Sequence, residues 1–210
     1  MPTSSSNQKS IQKHVFLIED DDELRNDLTR IMQFVGYVVH PFQDPTQFLA
    51  NHEHFIPAVI VSDMRMPNMS GIELQEKLKE LDQSIPMIII SGESSDRQIV
   101  DALKNGAIDF LLKPFSRESL LSAVAKGVEI DSVAMQKVIR QSEFNEKLKI
   151  LSPRERQVFD LLAEGYGNRE LVEALSISLP TAKQYKSEVM YKLRLRSLSE
   201  LISLNKSCHS

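Results

Sequence analysis

Four apolar runs of this 210-residue chain each end on a group that can do chemistry. HVFLI leads into Glu19-Asp20, AVIVS into Asp63, PMIII into Ser91 and DFLL into Lys113. If these runs are neighbouring strands of one parallel sheet, three carboxylates, a hydroxyl and an ammonium meet at its edge. Carboxylates crowded in that way repel and need a counter-charge. A hard cation with oxygen ligands supplies it, and Mg2+ takes only a few carboxylates and keeps waters. A lysine gives a second positive point. An aspartate set among a cation, a lysine and a hydroxyl is placed to attack a phosphoryl group. The cation and the ammonium would offset the charge that phosphorylation adds. Each signal has a plainer reading alone: a strand-end Asp opens a turn, a Lys before Pro is a loop charge, and Glu19 to Asp22 is an acidic first helical turn. Their joint placement at four strand ends carries the chemical reading.

The elements that must position these groups alternate between strand and helix signals. After HVFLIE, Leu24, Leu28, Ile31, Met32 and Val35 recur at helical spacing up to Gly36. YVVHPF is a weaker strand, and Asp44-Pro45 opens a short helix as N-cap and Pro at N1. AVIVS is followed by GIELQEKLKEL, PMIIIS by SDRQIVDALKNG, and DFLLK by SRESLLSAVAKGV. Five β/α repeats with short apolar strands predict an α/β doubly wound, five-stranded parallel sheet covered on both faces. From about residue 124 the run VAKGVEIDSVAMQKVIRQSEFNEKLK reads as a helical linker. Val124, Val128, Met135 and Val138 fall roughly in heptad phase, so the run serves either as a solvated connector or as a coiled-coil seam.

From Leu151 the chain reads as four short helices, a small all-α unit. Ser152-Pro153-Arg154-Glu155 is a capping box, Asn168 is the expected cap of RELVEALSIS, and a tight SIS turn leads to LPTAKQYKSEVMYKL and then SLSELISL. The tight turn between the second and third helices gives a helix-turn-helix pattern.

Composition bounds the rest. Hydrophobic residues make up 41% and charged residues 26%, an ordinary globular profile. No apolar run approaches a membrane span, and MPTSSSNQKSIQK has no apolar stretch of a signal peptide, so a cytoplasmic protein is expected. Residues 1–12 read as a disordered lead-in. Cys208 is the one cysteine, which excludes an intrachain disulfide. The net charge of −4 hides an asymmetry: ten Lys/Arg against seven Asp/Glu from Lys149 onward, and fifteen against twenty-two before it. An acidic front and a basic back suit different partners.

The motifs LIEDD, VSDMRMPNMSG, IIISGE and FLLKPF, spread over the first 125 or so residues, resemble the receiver domain of bacterial two-component response regulators. That resemblance implies a flavodoxin-like fold over residues 13–127, with Asp63 as phospho-acceptor. It implies that Glu19, Asp20, Asp63 and the backbone carbonyl of Arg65 hold Mg2+, with Glu19 standing where many members have Asp. It makes Ser91 the switch hydroxyl, Phe110 the switch aromatic and Lys113 the partner of the phosphoryl oxygens, followed by a cis bond to Pro114. Residues 128–148 are then the linker.

LSPRERQV, LLAEG, NRELVEALSIS and KLRLRS resemble the LuxR-type DNA-binding domain of the FixJ/NarL branch, over residues 149–210. Thr181 to Arg196 carries five Lys/Arg against Glu188 alone, which fits an element lying against phosphates. By resemblance Pro180 to Leu193 is the recognition helix. Lys183, Gln184 and Ser187 share a face and are the candidates for base edges. Arg169, Thr181, Lys186 and Lys192 are the candidate phosphate anchors. The family's small-then-branched pair across the turn reads here Val172 and Ala182, exchanged in size. Tyr185 and Glu188 also depart from the common pattern.

The resemblance implies a transcription regulator, not an enzyme beyond its own phosphoryl transfer and hydrolysis. A sensor histidine kinase would phosphorylate Asp63 with Mg2+, double-stranded DNA and RNA polymerase would be partners, and phosphorylation would promote a homodimer. Three rivals are a constitutive DNA-binding protein with a silent receiver, a phosphotransfer or phosphatase component, and a structural interaction module. The intact acidic set argues against the first, the complete helix-turn-helix against the second, and both together against the third.

Overall fold

The computed structural model describes residues 11–92 and 96–209. Most of the expected lead-in and Glu93 of IIISGE lie outside them. The described chain falls into two compact units, Met1–Met135 and Gln136–Ser210.

The first unit runs β1 (His14–Ile18), α1 (Asp22–Phe34), β2 (Val38–Phe42), α2 (Pro45–Asn51), β3 (Ala58–Asp63), α3 (Gly71–Glu80), β4 (Met87–Ser91), α4 (Asp96–Lys104), β5 (Asp109–Leu112) and the start of α5 (Arg117–Leu148). The strands form one parallel sheet in the order β2-β1-β3-β4-β5. β1, β3 and β4 are buried on both faces, which is why they read as continuous apolar runs. Alternate residues feed two cores. Val15, Leu17, Val59, Val61, Ile88 and Ile90 meet α1 and α5 on one face. Phe16, Ile18, Ile60 and Ile89 meet Phe48 of α2, Leu74 and Leu78 of α3 and Ala102 of α4 on the other. The doubly wound sheet is as expected. Asp44 caps α2 with Pro45 at N1, and Ser70 and Glu73 close a capping box at α3.

One helix, α5, covers the stretch expected to be a terminal helix plus a separate linker. Gly127 lies within it. A β-carbon there would overlap the Val59 side chain and press on Ile108, so the glycine permits close approach of α5 to the sheet. Val124 and Val128 are buried in the α1/α5-side core. They are therefore not free for a coiled-coil seam; Ile130, Val133, Val138 and Ile139 are the large apolar residues of that run that are exposed. Asp131 also belongs to the receiver's packing, because its carboxylate accepts the Ala58 N–H at 2.8 Å. Burial raises the Asp131 pKa, and the Ala58 hydrogen bond opposes that rise.

Four of the chain's five histidines collect with phenylalanines at the amino-terminal end of β1 and its surroundings. His14 stacks on Phe55 with centroids 4.2 Å apart, and its Nδ1 lies 2.9 Å from Nε2 of His40. His52 stacks on Phe48 and meets Gln83 Oε1 through Nε2 at 3.1 Å.

The second unit packs α6 (Pro153–Ala163), α7 (Asn168–Leu175), α8 (Leu179–Lys192) and α9 (Leu198–His209) around Val158, Phe159, Leu162, Leu171, Val189 and Leu201. Phe144 and Leu148, from the end of α5, are buried in the same cluster.

Candidate functional site

β1 leads to β2 on one side and to β3 on the other side of the sheet order. The carboxyl ends of β1 and β3 therefore flank the crevice where an open α/β sheet takes its ligands. Ile18 pairs with Ser62 in the register, so the next residues along, Glu19 and Asp63, stand side by side. Both are buried, Glu19 to 2% exposure and Asp63 to 6%. Lys113, just past β5, reaches between them: Nζ donates to Glu19 Oε2 at 2.8 Å and to Asp63 Oδ1 at 2.5 Å. Burial raises the Glu19 pKa and the Asp63 charge adds to this, while Lys113 works against it. At Lys113 burial disfavours the ammonium, but the two carboxylates outweigh it and hold the pKa above the ordinary lysine value. Two buried carboxylates and a partly buried ammonium thus satisfy one another, as buried charges must.

The second Asp63 oxygen, Oδ2, accepts the Arg65 N–H at 2.6 Å. The loop that turns back over it is fixed at several points. Met64 donates to Ile90 O at 2.7 Å, Asn68 takes a left-handed φ of 70°, and Gly71 donates to Met64 O at 3.0 Å. Gly71 is a site residue that sequence reasoning missed. A β-carbon on it would sit 2.5 Å from the backbone oxygen of Asp63, so only glycine lets α3 start this close to the end of β3. The signal was present as the glycine closing MRMPNMSG, two residues before the capping-box Glu73. The Lys113-Pro114 bond is cis, as expected, and so is Ile56-Pro57, which was not.

Asp20 is exposed, while its backbone oxygen and that of Glu19 accept from the Arg25 guanidinium at 3.4 and 2.7 Å. The expected three-carboxylate crowd is thus two carboxylates closed on a lysine, with the third beside them facing solvent. Among the described residues no three His, Cys, Asp or Glu side chains form a metal-holding group. The available donors still fit Mg2+ by chemistry: they are hard oxygens, and an exposed Asp20 leaves room for the waters this ion keeps.

Ser91 ends β4 at 1% exposure, and its backbone oxygen accepts the Lys113 N–H at 2.7 Å. Phe110 is half-buried against the core on the α2/α3/α4 face. The register pairs Ile89 with Phe110 and Ser91 with Leu112. Strand alternation therefore puts Ser91 and Phe110 on that same face, opposite in parity to Asp63.

In the second unit Ser152 and Glu155 make the expected capping box on α6. Asn168 does not cap α7: Gly167 does, and Asn168 is the first helical residue, its Oδ1 buried without a hydrogen-bond partner among the described residues. Gly167 instead gives its N–H to the Glu170 side chain. Ser176, at a left-handed φ of 51°, makes the tight turn into α8, which Ser178 caps. α8 spans Leu179–Lys192, within a residue of the expected recognition helix. Val172 and Ala182 belong to one apolar cluster, Ala182 fully buried and Val172 partly so.

Lys183, Gln184 and Ser187 are all exposed, as base-reading candidates must be, and Arg169 is exposed in the first turn of α7. Lys186 is half-buried. The Thr181 hydroxyl is engaged at 2.7 Å with that of Ser178 in the cap. Lys192 departs most from its expected role, because its ammonium donates to the buried Glu155 carboxylate at 2.7 Å. That hydrogen bond, with the Ser152 N–H, lowers the Glu155 pKa. Tyr191 was not expected. It lies four residues beyond Ser187 on the same face and is 85% exposed.

Comparison with known proteins follows the same division. The family description "Response regulator receiver domain" matches residues 15–125, and "Bacterial regulatory proteins, luxR family" matches residues 149–205. The chain is 33% identical over 188 residues to the response regulator protein TodT of Pseudomonas putida F1, covering 90% of this chain and 83% of that protein. It is 33% identical over 191 residues to the transcriptional regulatory protein FixJ of Bradyrhizobium diazoefficiens, covering 91% and 93%. Among solved structures, the response regulator StyR superposes with a TM-score of 0.79 at 34% identity, covering 93% of this chain and 98% of that one.

Proposed function

From the premise that this chain belongs to the response regulators, a receiver domain followed by a LuxR-type DNA-binding domain, we propose that Asp63 is its phosphoryl acceptor. As a phosphorylation-controlled transcription regulator of this family it has a histidine kinase and DNA as partners. No helix among the described residues is long and apolar enough to cross a membrane. The observation that carries the assignment is the closure of Lys113 on buried Asp63 and Glu19 at the switch point of the sheet.

Mg2+, held by Asp20, Asp63 and the Arg65 carbonyl with Glu19 beside them, would neutralise charge on the transferring phosphoryl oxygens. Asp63 attacks phosphorus through a carboxylate oxygen. The phosphorus–nitrogen bond of the kinase phosphohistidine breaks, and the imidazole leaves with its electron pair and takes a proton from solvent. Lys113 then pairs with the phosphoryl group. The Arg65 N–H fixes the carboxylate plane before attack. Ser91, at the adjacent strand end, turns its hydroxyl to the phosphoryl oxygens, and Phe110, on the same face, moves with it. The face of α4, β5 and the start of α5 changes in consequence, which promotes a homodimer.

The division proposed is receiver 13–127, linker 128–148 and DNA-binding domain 149–210. Lys183, Gln184 and Ser187 meet base edges. Arg169, Thr181 and Lys186 meet phosphates, with Lys192 in a secondary role because Glu155 holds it. Two recognition helices of the dimer then read a two-fold related site, and RNA polymerase is the final partner. Acetyl phosphate with Mg2+ is expected to increase DNA binding of the wild type and not of Asp63→Asn. Equal stimulation of the two proteins would exclude the assignment.

A further inference from the structure

On the exposed side of α8, the Gln184 amide nitrogen donates to the Glu188 carboxylate at 2.9 Å. A carboxylate can only accept, so the orientation of the amide is dictated by its partner: nitrogen toward Glu188, carbonyl oxygen away from it. One of the two amide hydrogens is thereby committed. What Gln184 retains is one N–H and one C=O, side by side, on a helix face shared with exposed Lys183 and Ser187.

We propose that Glu188 is a positioning residue that sets which base Gln184 reads. The idea rests on Gln184 being a base-edge contact. Adenine offers the major groove an acceptor at N7 and a donor at N6, which match the remaining N–H and C=O as a bidentate pair. Guanine offers two acceptors, N7 and O6, and a glutamine with one hydrogen already engaged cannot serve both while presenting its carbonyl oxygen. Glu188 therefore favours adenine over guanine by removing the alternative orientation of the amide. Its negative charge at the same time repels phosphates, so it trades general affinity for selectivity. A glutamate on the recognition helix thus gains a role that charge alone argues against.

The test is selection of binding sites from a randomised duplex pool by the full-length protein, treated with acetyl phosphate and Mg2+. Wild type, Gln184→Ala, Glu188→Ala and Glu188→Gln are compared at each position of the site. Wild type is expected to select adenine at one position per half-site. Gln184→Ala should lose that preference by about fivefold or more. Glu188→Ala should lose about twofold to fivefold at the same position and nowhere else, while binding all duplexes more tightly. Glu188→Gln should lose part of the preference, because an amide donates as well as accepts and so permits either orientation of Gln184, and should share the general gain in affinity. An adenine preference unchanged in Glu188→Ala but lost in Gln184→Ala overturns the positioning role alone. A preference unchanged in Gln184→Ala removes the base contact, and the proposal with it. Loss of a cytosine preference in both Glu188 variants would instead make Glu188 a direct reader of the cytosine amine, and would also overturn it.

Discussion

Lys113 is the residue whose environment says most about the receiver. Its ammonium joins two buried carboxylates that sit side by side and would repel without it. Lys113→Met is expected to destabilise the receiver by about 2–3 kcal/mol at neutral pH with chelator present, below the range for a fully buried pair because the lysine is 25% exposed. Mg2+ should restore part of that loss, and thermal unfolding with and without the ion measures both. A second residue-scale effect concerns protons. Burial lowers the pKa of His14, and it lowers that of His40 with help from the His14 charge, against an opposing effect of Glu53. Below the ordinary value of 6.5 the unfolded chain therefore takes up protons that the folded receiver resists, and stability falls as pH drops through that value. His14→Phe keeps the stacking on Phe55 and removes one titrating group. Its stability should fall less than that of wild type between about pH 7 and pH 5.5, read by urea unfolding. A steeper fall in the variant would show that the pair is not the source. Glu19, Asp63 and Lys113 were legible in the sequence because strand ends of a parallel sheet share an edge. The exposure of Asp20 was not, because two residues past the end of β1 the pleat no longer dictates direction.

Among elements, α5 shows what periodicity alone misses. Its sequence reads as a last receiver helix and, from about residue 124 where the β/α pattern ends, a helical linker, and a glycine ordinarily weakens a helix interior. In the structure Gly127 is inside the helix because Val59 and Ile108 lie where its side chain would be. Gly127→Ala should therefore destabilise the receiver by about 1–3 kcal/mol, as the overpacking cost exceeds the gain of about 1 kcal/mol in helix propensity. A more stable variant in a chemical denaturation series would show that the sheet can yield. α8 gives the complementary case. The shared exposed face of Lys183, Gln184 and Ser187 could be read from sequence, as could the capping box of α6. The partner of Lys192 could not be read, for Glu155 lies 37 residues earlier and meets it only through the fold. Lys183→Ala is expected to reduce the salt slope of DNA binding by about one, whereas Lys192→Met should leave that slope nearly unchanged and lower the domain's melting temperature. Equal slope changes would return Lys192 to the phosphates.

At the scale of the whole molecule, two folds with separate cores divide two kinds of chemistry. The five parallel strands, their burial on both faces and the four terminal helices followed from apolar patterning, whereas the strand order comes from the structure, and the two family descriptions cover both units. The charge asymmetry between the front and the back of the chain fits the same division, with the receiver domain in the acidic part and the LuxR-type domain in the basic part. The account joins them through one event, addition of a phosphoryl group to Asp63. The most direct measurement is the intact mass of wild type and Asp63→Asn after incubation with acetyl phosphate and Mg2+. The account predicts one phosphoryl adduct on wild type, lost on removing Mg2+ from the incubation, and none on Asp63→Asn. An adduct on both proteins, or on neither with a phosphodonor shown to be active, would contradict it.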